Sequence, residues 1–338
     1  TRRSIGALWI GTVLKLTPIL LLCAVGLIVN GLPATYVAPQ FSEVEATALL
    51  LAYAFSGGGV STISAGETKN PQRTVVWSMY INLAIVAALK DEISEYLSRG
   101  KFQVTATEGR LRIYQSELVP EVVVSEGGVG KELAQEGTRQ LVERFRPDVV
   151  ISAGFAGGAR TGAKTGDGFF CDRLVAVDGP LYLWEKSEAV EQLDQGMLHR
   201  IRATIPGGAE EYQLGACLTV PQFISNSSMK AWLGRTFEVR LIDMESYWVN
   251  EAARGAGVPE LSVKVMLDPV EDTVPAFVGD TLARGRAYRA FRGAAYVAAN
   301  PLGTRRIFRL ARQVKMARTA LANFLDRIVA AQTALAEG

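Results

Sequence analysis

The sequence predicts an α/β domain behind an apolar, membrane-like front, and three stretches predict it. Residues 241–268 read as a short apolar strand into Asp243, a helix from about Glu245 that stops at Gly255 and Gly257, and, after Pro259, a second, neighbouring strand ending at Asp268. Residues 84–92 read as a buried strand running into an acidic helix start at Asp91 and Glu92. Residues 4–29 carry only Lys15 and residues 46–66 carry no charge, and each run matches the roughly 20 apolar residues that cross a bilayer.

A chain of 338 residues is long enough for a large core and for two unequal domains. Cys23, Cys171 and Cys217 have neither metal-ligand nor redox spacing, which argues for a reducing compartment and against a disulfide framework. His199 is the sole histidine and lies in a polar stretch, so a zinc site or a Ser-His-Asp triad is poorly supported. The net charge of +2 is unevenly spread: residues 281–325 hold ten of the 36 basic residues and no acid, leaving 26 basic against 34 acidic elsewhere. That basic end suits an anionic surface, and a solvated helical face fits it equally.

At the front, Arg2 and Arg3 precede the first uncharged run, Lys69 and Arg73 follow the second, and residues 30–45 between them hold no Lys or Arg. The positive-inside rule makes this a transmembrane hairpin with both ends cytoplasmic. Ser56-Gly57-Gly58-Gly59 interrupts the second span as a broken or close-packed membrane helix would. Together with Gly66-Glu67-Thr68-Lys69-Asn70-Pro71-Gln72-Arg73, this segment resembles amino acid permeases of the amino acid, polyamine and organocation superfamily. It covers two spans only, a permease fragment that does not transport. The expected division is residues 1–78 for the hairpin and 79–338 for the enzyme domain, with Met79 as an old start codon. The uncharged run 74–89 fits a linker and buried strand, or a short third span.

After the first strand comes a hairpin through about Val124, then Gly127-Gly128-Val129-Gly130-Lys131 and a helix from Glu132 to Phe145. The P-loop pattern fails here, because Glu132 follows Lys131 and Ser125 occupies the first glycine position. Residues 149–153 read as a central strand, and Gly154-Phe155-Ala156-Gly157-Gly158 as a glycine turn that lets backbone approach a ligand. Residues 159–215 are less readable. The segment Pro221-Gln222-Phe223-Ile224 places an aromatic at a strand end. At 301–335 Leu310, Val314, Ala317, Leu321, Phe324 and Ile328 recur near helical period opposite Arg305, Arg309 and Arg312, a basic amphipathic helix suited to a membrane face or to packing over the domain.

In chain order, Ala88-Leu89-Lys90-Asp91-Glu92, Gly128-Val129-Gly130-Lys131, the Gly154 to Gly158 run, Gln222-Phe223-Ile224 and Met244-Glu245-Ser246 with Asp268 resemble the nucleoside phosphorylase and nucleosidase superfamily, near its methylthioadenosine/adenosylhomocysteine nucleosidases. The resemblance spans about residues 83–272 and implies a three-layer α/β/α sandwich around a twisted, mostly parallel sheet. It implies cleavage of the N-glycosidic bond of a purine, foremost adenine, nucleoside. Asp268 would protonate the base and Glu92 would orient water. Glu245 would hold ribose hydroxyls, Met244 would line the sugar, Phe223 and Ile224 would cover the purine, and Gly154, Phe155 and Gly157 would border the nucleoside. No cofactor is implied, and phosphate is a co-substrate only if the bond is cleaved by phosphorolysis.

Ala88 to Glu92 stands where phosphorylases carry a Gly-x-Pro-x-Arg phosphate loop, and an acidic loop favours water. Phe155, Lys264 and Leu267 depart from the nucleosidase pattern, which puts the substrate in question. The Arg-rich tail is similar to that of hopanoid-associated phosphorylases, which implies a nucleoside lipid such as adenosylhopane. A membrane-anchored nucleoside-binding module without turnover is the rival reading. The expected partners are a purine nucleoside, a membrane met through the two spans and the basic helix, and a second copy of the chain in a homodimer, with no nucleic acid. The expected location is membrane-associated with the enzyme domain cytoplasmic.

Overall fold

The computed structural model describes residues 83–186, 188–205, 207–274, 278 and 304–337. The transmembrane hairpin and permease fragment expected at 1–78 lie outside these residues. Among the described residues no helix is long and apolar enough to cross a membrane.

The elements are β1 (Leu83–Ala87), α1 (Lys90–Arg99), β2 (Gln103–Glu108), β3 (Leu111–Gln115), β4 (Val122–Glu126), α2 (Lys131–Phe145) and β5 (Val149–Gly158). There follow β6 (Gly168–Phe170), β7 (Arg173–Val177), a 3-10 turn (Leu181–Lys186), β8 (Glu188–Gln192), α3 (Gln195–Thr204), α4 (Gly208–Glu211), β9 (Tyr212–Leu214) and β10 (Cys217–Thr219). The chain continues through α5 (Ser227–Thr236), β11 (Leu241–Asp243), α6 (Ser246–Gly255), β12 (Glu260–Asp268) and α7 (Thr304–Glu337).

One sheet runs in the order β2-β3-β4-β1-β5-β11-β10-β7-β8, while β12 also pairs with β5 and carries β6 and β9 on its other side. Its centre is parallel, with β1 beside β4 and β5, and β12 beside β5. The β10–β11, β10–β7 and β6–β9 pairs are parallel too, and the β5–β11, β6–β12, β2–β3, β3–β4 and β7–β8 pairs are antiparallel, so parallel pairing has a narrow majority in a mixed sheet.

Strand alternation explains the layers. In β1, Leu83, Ile85 and Ala87 join a cluster with Ile93, Tyr96 and Leu97 of α1 and Leu321, Phe324 and Ile328 of α7. Ala84 and Val86 face the other way, toward Leu141 and Phe145 of α2 and Trp248 and Ala253 of α6. A strand buried on both faces must be apolar throughout, as Leu83–Ala87 is. Helices therefore cover both faces, which gives the expected three layers.

Three expectations need correction. The glycine run is no turn, for β5 continues through Gly158 and pairs there with both β11 and β12. A Cβ on Gly158 would stand 2.8 Å from the Val270 nitrogen, so glycine permits close strand packing. The strands that end at Asp243 and Asp268 are not neighbours; β5 lies between them. Finally, the apolar stripe of the C-terminal helix is covered by protein: Ala317, Leu321, Phe324, Leu325 and Ile328 are fully buried over the sheet and α1. Its packing leaves no apolar membrane face over that stretch, although Phe308, near its start, is 72 % exposed.

Candidate active site

The site forms where β5 ends between β11 and β12. A cleft enclosing about 680 Å³, counted to its open mouth, is bordered by Glu92, Phe155, Gly157, Phe223, Ile224, Met244, Glu245 and Asp268. Each enters from a different local device. Glu92 is the third residue of α1, where its carboxylate accepts the Leu89 N–H at 3.0 Å and the Phe155 N–H at 2.9 Å. Glu245 caps α6 and accepts the Gly130 N–H at 3.1 Å. Gly130 (φ 100°) lies in the left-handed region, where glycine carries no Cβ penalty, and this is what turns its N–H toward the cleft.

Gly154 lies deeper than the cleft proper, in an adjoining recess lined also by Glu92, Ser152, Glu245 and Lys264. A Cβ there would stand 2.9 Å from Glu92 Oε1, so this glycine makes room for the carboxylate. Gly157 lies beside Asp268, whose Oδ1 would be 3.5 Å from an added Cβ, an ordinary contact. All nine residues named from the sequence thus gather around one cleft and its recess.

The electrostatics separate the four acids. Burial raises the Glu92 carboxyl, opposed by the Phe155 amide and the Lys264 charge. Glu245 is pushed up to about 8 by burial and then by the Asp243 charge. Asp268 is raised to about 6 by burial, against the pull of Lys230. Burial also presses on Asp243, but Lys264 and its hydrogen bonds hold that carboxyl below its ordinary value. Lys264 Nζ lies 2.9 Å from Asp243 Oδ2, which also accepts the Ser246 N–H at 2.9 Å and the Ser246 hydroxyl at 2.6 Å. Thr219 Oγ1 donates to Asp243 Oδ1 at 2.7 Å. This buried ionic centre fixes the turn that delivers Met244 and Glu245.

Sequence reading named neither Asp243 nor Lys230 as a site residue. Asp243 was visible only as a strand end. Lys230 sits in α5 among ordinary helix formers, and only the fold brings it 2.8 Å from Asp268. His199 is exposed and away from the cleft, as its polar surroundings suggested. Among the described residues there is no cluster of ligands that could hold a metal ion.

The chain is 26% identical over 202 residues to the 5'-methylthioadenosine/S-adenosylhomocysteine nucleosidase of Listeria welshimeri, covering 56% of this chain and 86% of that protein. It is 27% identical over 198 residues to the enzyme of that name from Aeromonas salmonicida, with the same coverage. Among solved structures, the nucleosidase from Neisseria meningitidis in complex with methylthio-immucillin-A superposes with a TM-score of 0.56 at 19% identity, over 73% of this chain and 97% of that one. Futalosine hydrolase of Helicobacter pylori gives 0.56 at 17% identity, over 74% and 98%. These likenesses extend the fold across the sheet and helices that carry the cleft. With a family model matching residues 82–291, more than half its length, the chain belongs to the phosphorylase superfamily.

Proposed function

We propose that this protein cleaves the N-glycosidic bond of a purine nucleoside, with water as the attacking group. The observation that carries the reading is the convergence of Glu92, Glu245 and Asp268 on one cleft from three separate elements. Bond cleavage leaves positive charge on the sugar and negative charge on the departing base. Asp268, raised by burial, supplies a proton to the base near neutral pH. Glu245 takes the ribose hydroxyls, and Met244 packs on the sugar. Glu92, anchored by two backbone amides, orients water and takes its proton as oxygen bonds to the anomeric carbon.

Water is favoured over phosphate by the charges around the recess. Glu92 and Glu245 both line it, and its cation, Lys264, is already paired with Asp243. A phosphate entering there would find no free cation among the described lining residues. The nucleosidase relatives support the same choice. An adenine nucleoside with an apolar 5' group suits the apolar lining of Leu89, Val129, Phe155 and Leu267. A nucleoside lipid belongs among the substrates to test, although the packed face of α7 weakens the link to a membrane.

The test is incubation of the full chain with adenosine, methylthioadenosine and adenosylhopane, with and without phosphate, reading free base. Release without phosphate, lost in Asp268→Asn, is the expected result. Saturable binding with no release in any mixture would instead establish a nucleoside-binding module.

A further inference from the structure

We propose that Lys230 is a positioning residue that holds the charge left on Asp268 and thereby decides when the departing base receives its proton. This rests on the nucleoside-cleaving reading. The Lys230 side chain is 1% exposed, and its Nζ lies 2.8 Å from Asp268 Oδ2. It also donates to the Pro269 carbonyl at 2.9 Å, which fixes the ammonium beside the end of β12. Its helix is held by an Asn226 side chain that accepts the Met229 N–H at 3.0 Å, one residue before the lysine. A fully buried lysine is rare and costly unless it is paired, so this placement calls for a reason beyond packing.

The reason lies in the proton inventory. As the bond between the anomeric carbon and the purine nitrogen breaks, its electron pair goes to the base, and the Asp268 proton moves to a ring nitrogen. The carboxylate that remains is buried and would be costly alone. The Lys230 Nζ 2.8 Å away faces that carboxylate, so the same contact that weakens Asp268's hold on its proton stabilises what is left after transfer. The other charge close to Asp268 is Asp272 in the following loop, itself engaged by Gln313 at 2.6 Å and Arg309 at 3.8 Å. Across the cleft stand Glu92 of α1, Asp243 of β11 and Glu245 at the start of α6, with Lys264 of β12 paired to Asp243. Among the described residues, Lys230 is the cation within hydrogen-bond reach of the Asp268 carboxylate.

The experiment measures kcat against pH for the full chain, Lys230→Gln and Lys230→Arg, on adenosine and on a 7-methylated purine nucleoside whose base leaves without protonation. Loss of the charge should move the basic limb of the adenosine profile up by about one pH unit or more, whereas arginine should keep it in place. On the plateau below about pH 5, where Asp268 carries its proton in both forms, the adenosine to 7-methylpurine turnover ratio should fall by up to about tenfold in Lys230→Gln, one unit of acid strength expressed as rate. Equal loss on both substrates with an unmoved limb would overturn the proposal and leave a packing role.

Lys230→Met, melted at pH 5 where a neutral Asp268 tolerates an apolar neighbour, guards against a fold defect in the glutamine variant. Should the unaltered chain cleave no nucleoside, the functional reading falls separately. A ¹³C titration of the Asp268 carboxyl then tests this pair by itself. Its midpoint should rise in Lys230→Met, and an unmoved midpoint would overturn the proposal.

Discussion

At Asp268 two effects oppose each other: burial favours the neutral acid, and Lys230 favours the carboxylate. The balance near pH 6 suits proton donation, and Asp268→Asn keeps the shape while removing the proton. Base release should fall by about 10²–10⁴, read by chromatography of free purine under saturating substrate. Glu245→Gln should act differently, because the role proposed for Glu245 is to hold the sugar. Measured above about pH 8, where Glu245 is ionised, KM should rise about 10–100-fold with a smaller change in kcat, the cost of about 1.5–3 kcal/mol for a charged hydrogen bond.

Glu260 supplies a residue-scale prediction away from the chemistry. It is buried beside Asn250, whose Nδ2 donates to Glu260 Oε2 at 3.3 Å, while Glu260 Oε1 and Asn250 Oδ1 have no partner. Burial pushes the Glu260 carboxyl up to about 8 from an ordinary 4.5. The folded protein therefore keeps a proton that the unfolded chain releases. The associated stability is complete below pH 4.5, declines as pH rises and is gone above about 8. Glu260→Gln should flatten that decline, as measured by urea unfolding at pH 5, 6.5 and 8. An unchanged slope would show that Glu260 is not its source.

At the scale of elements, β5 and α7 show what the linear pattern conveys and what it hides. The strand at 149–153 was legible from its apolar run, but the glycines after it suggested a turn. What glycine provides there is space, since Gly158 lies against Val270 and Met266. Gly158→Ala should cost about 1–3 kcal/mol in chemical denaturation through overpacking. Gly255→Ala, at the end of α6 with open space around its Cα, should be neutral or slightly stabilising. In α7 the helical period was plain, but period alone cannot say whether a membrane or a sheet meets the apolar stripe. Phe324 answers it, stacked on Tyr212 at 3.9 Å between ring centroids and edge-on to Phe170 at 4.9 Å. Phe324→Ala should destabilise the domain by about 3–5 kcal/mol, read as a lowered urea midpoint.

Across the whole described domain, local signals located the strand ends, and the topology did the rest. Glu92, Glu245 and Asp268 could be named because the motifs that hold them resemble the superfamily's, and each stands at a strand end or helix start, where α/β sheets gather ligands. Lys230, Asp243 and Lys264 were harder to read because their importance comes from pairs 38 and 21 residues apart: Lys230 with Asp268 and Lys264 with Asp243. Neither spacing has a local meaning. The result is a cleft lined by Asp268, Glu92 and Glu245, with the buried cations Lys230 and Lys264 paired to Asp268 and Asp243; the proposed function assigns Asp268 to the base and the two glutamates to the sugar and water. The measurement that tests this arrangement most directly is cleavage in ¹⁸O-labelled water without phosphate. A purine nucleoside should yield free base and a sugar carrying the label on its anomeric oxygen, and Asp268→Asn should yield neither. Base release that requires phosphate, or full activity in the mutant, would contradict the account.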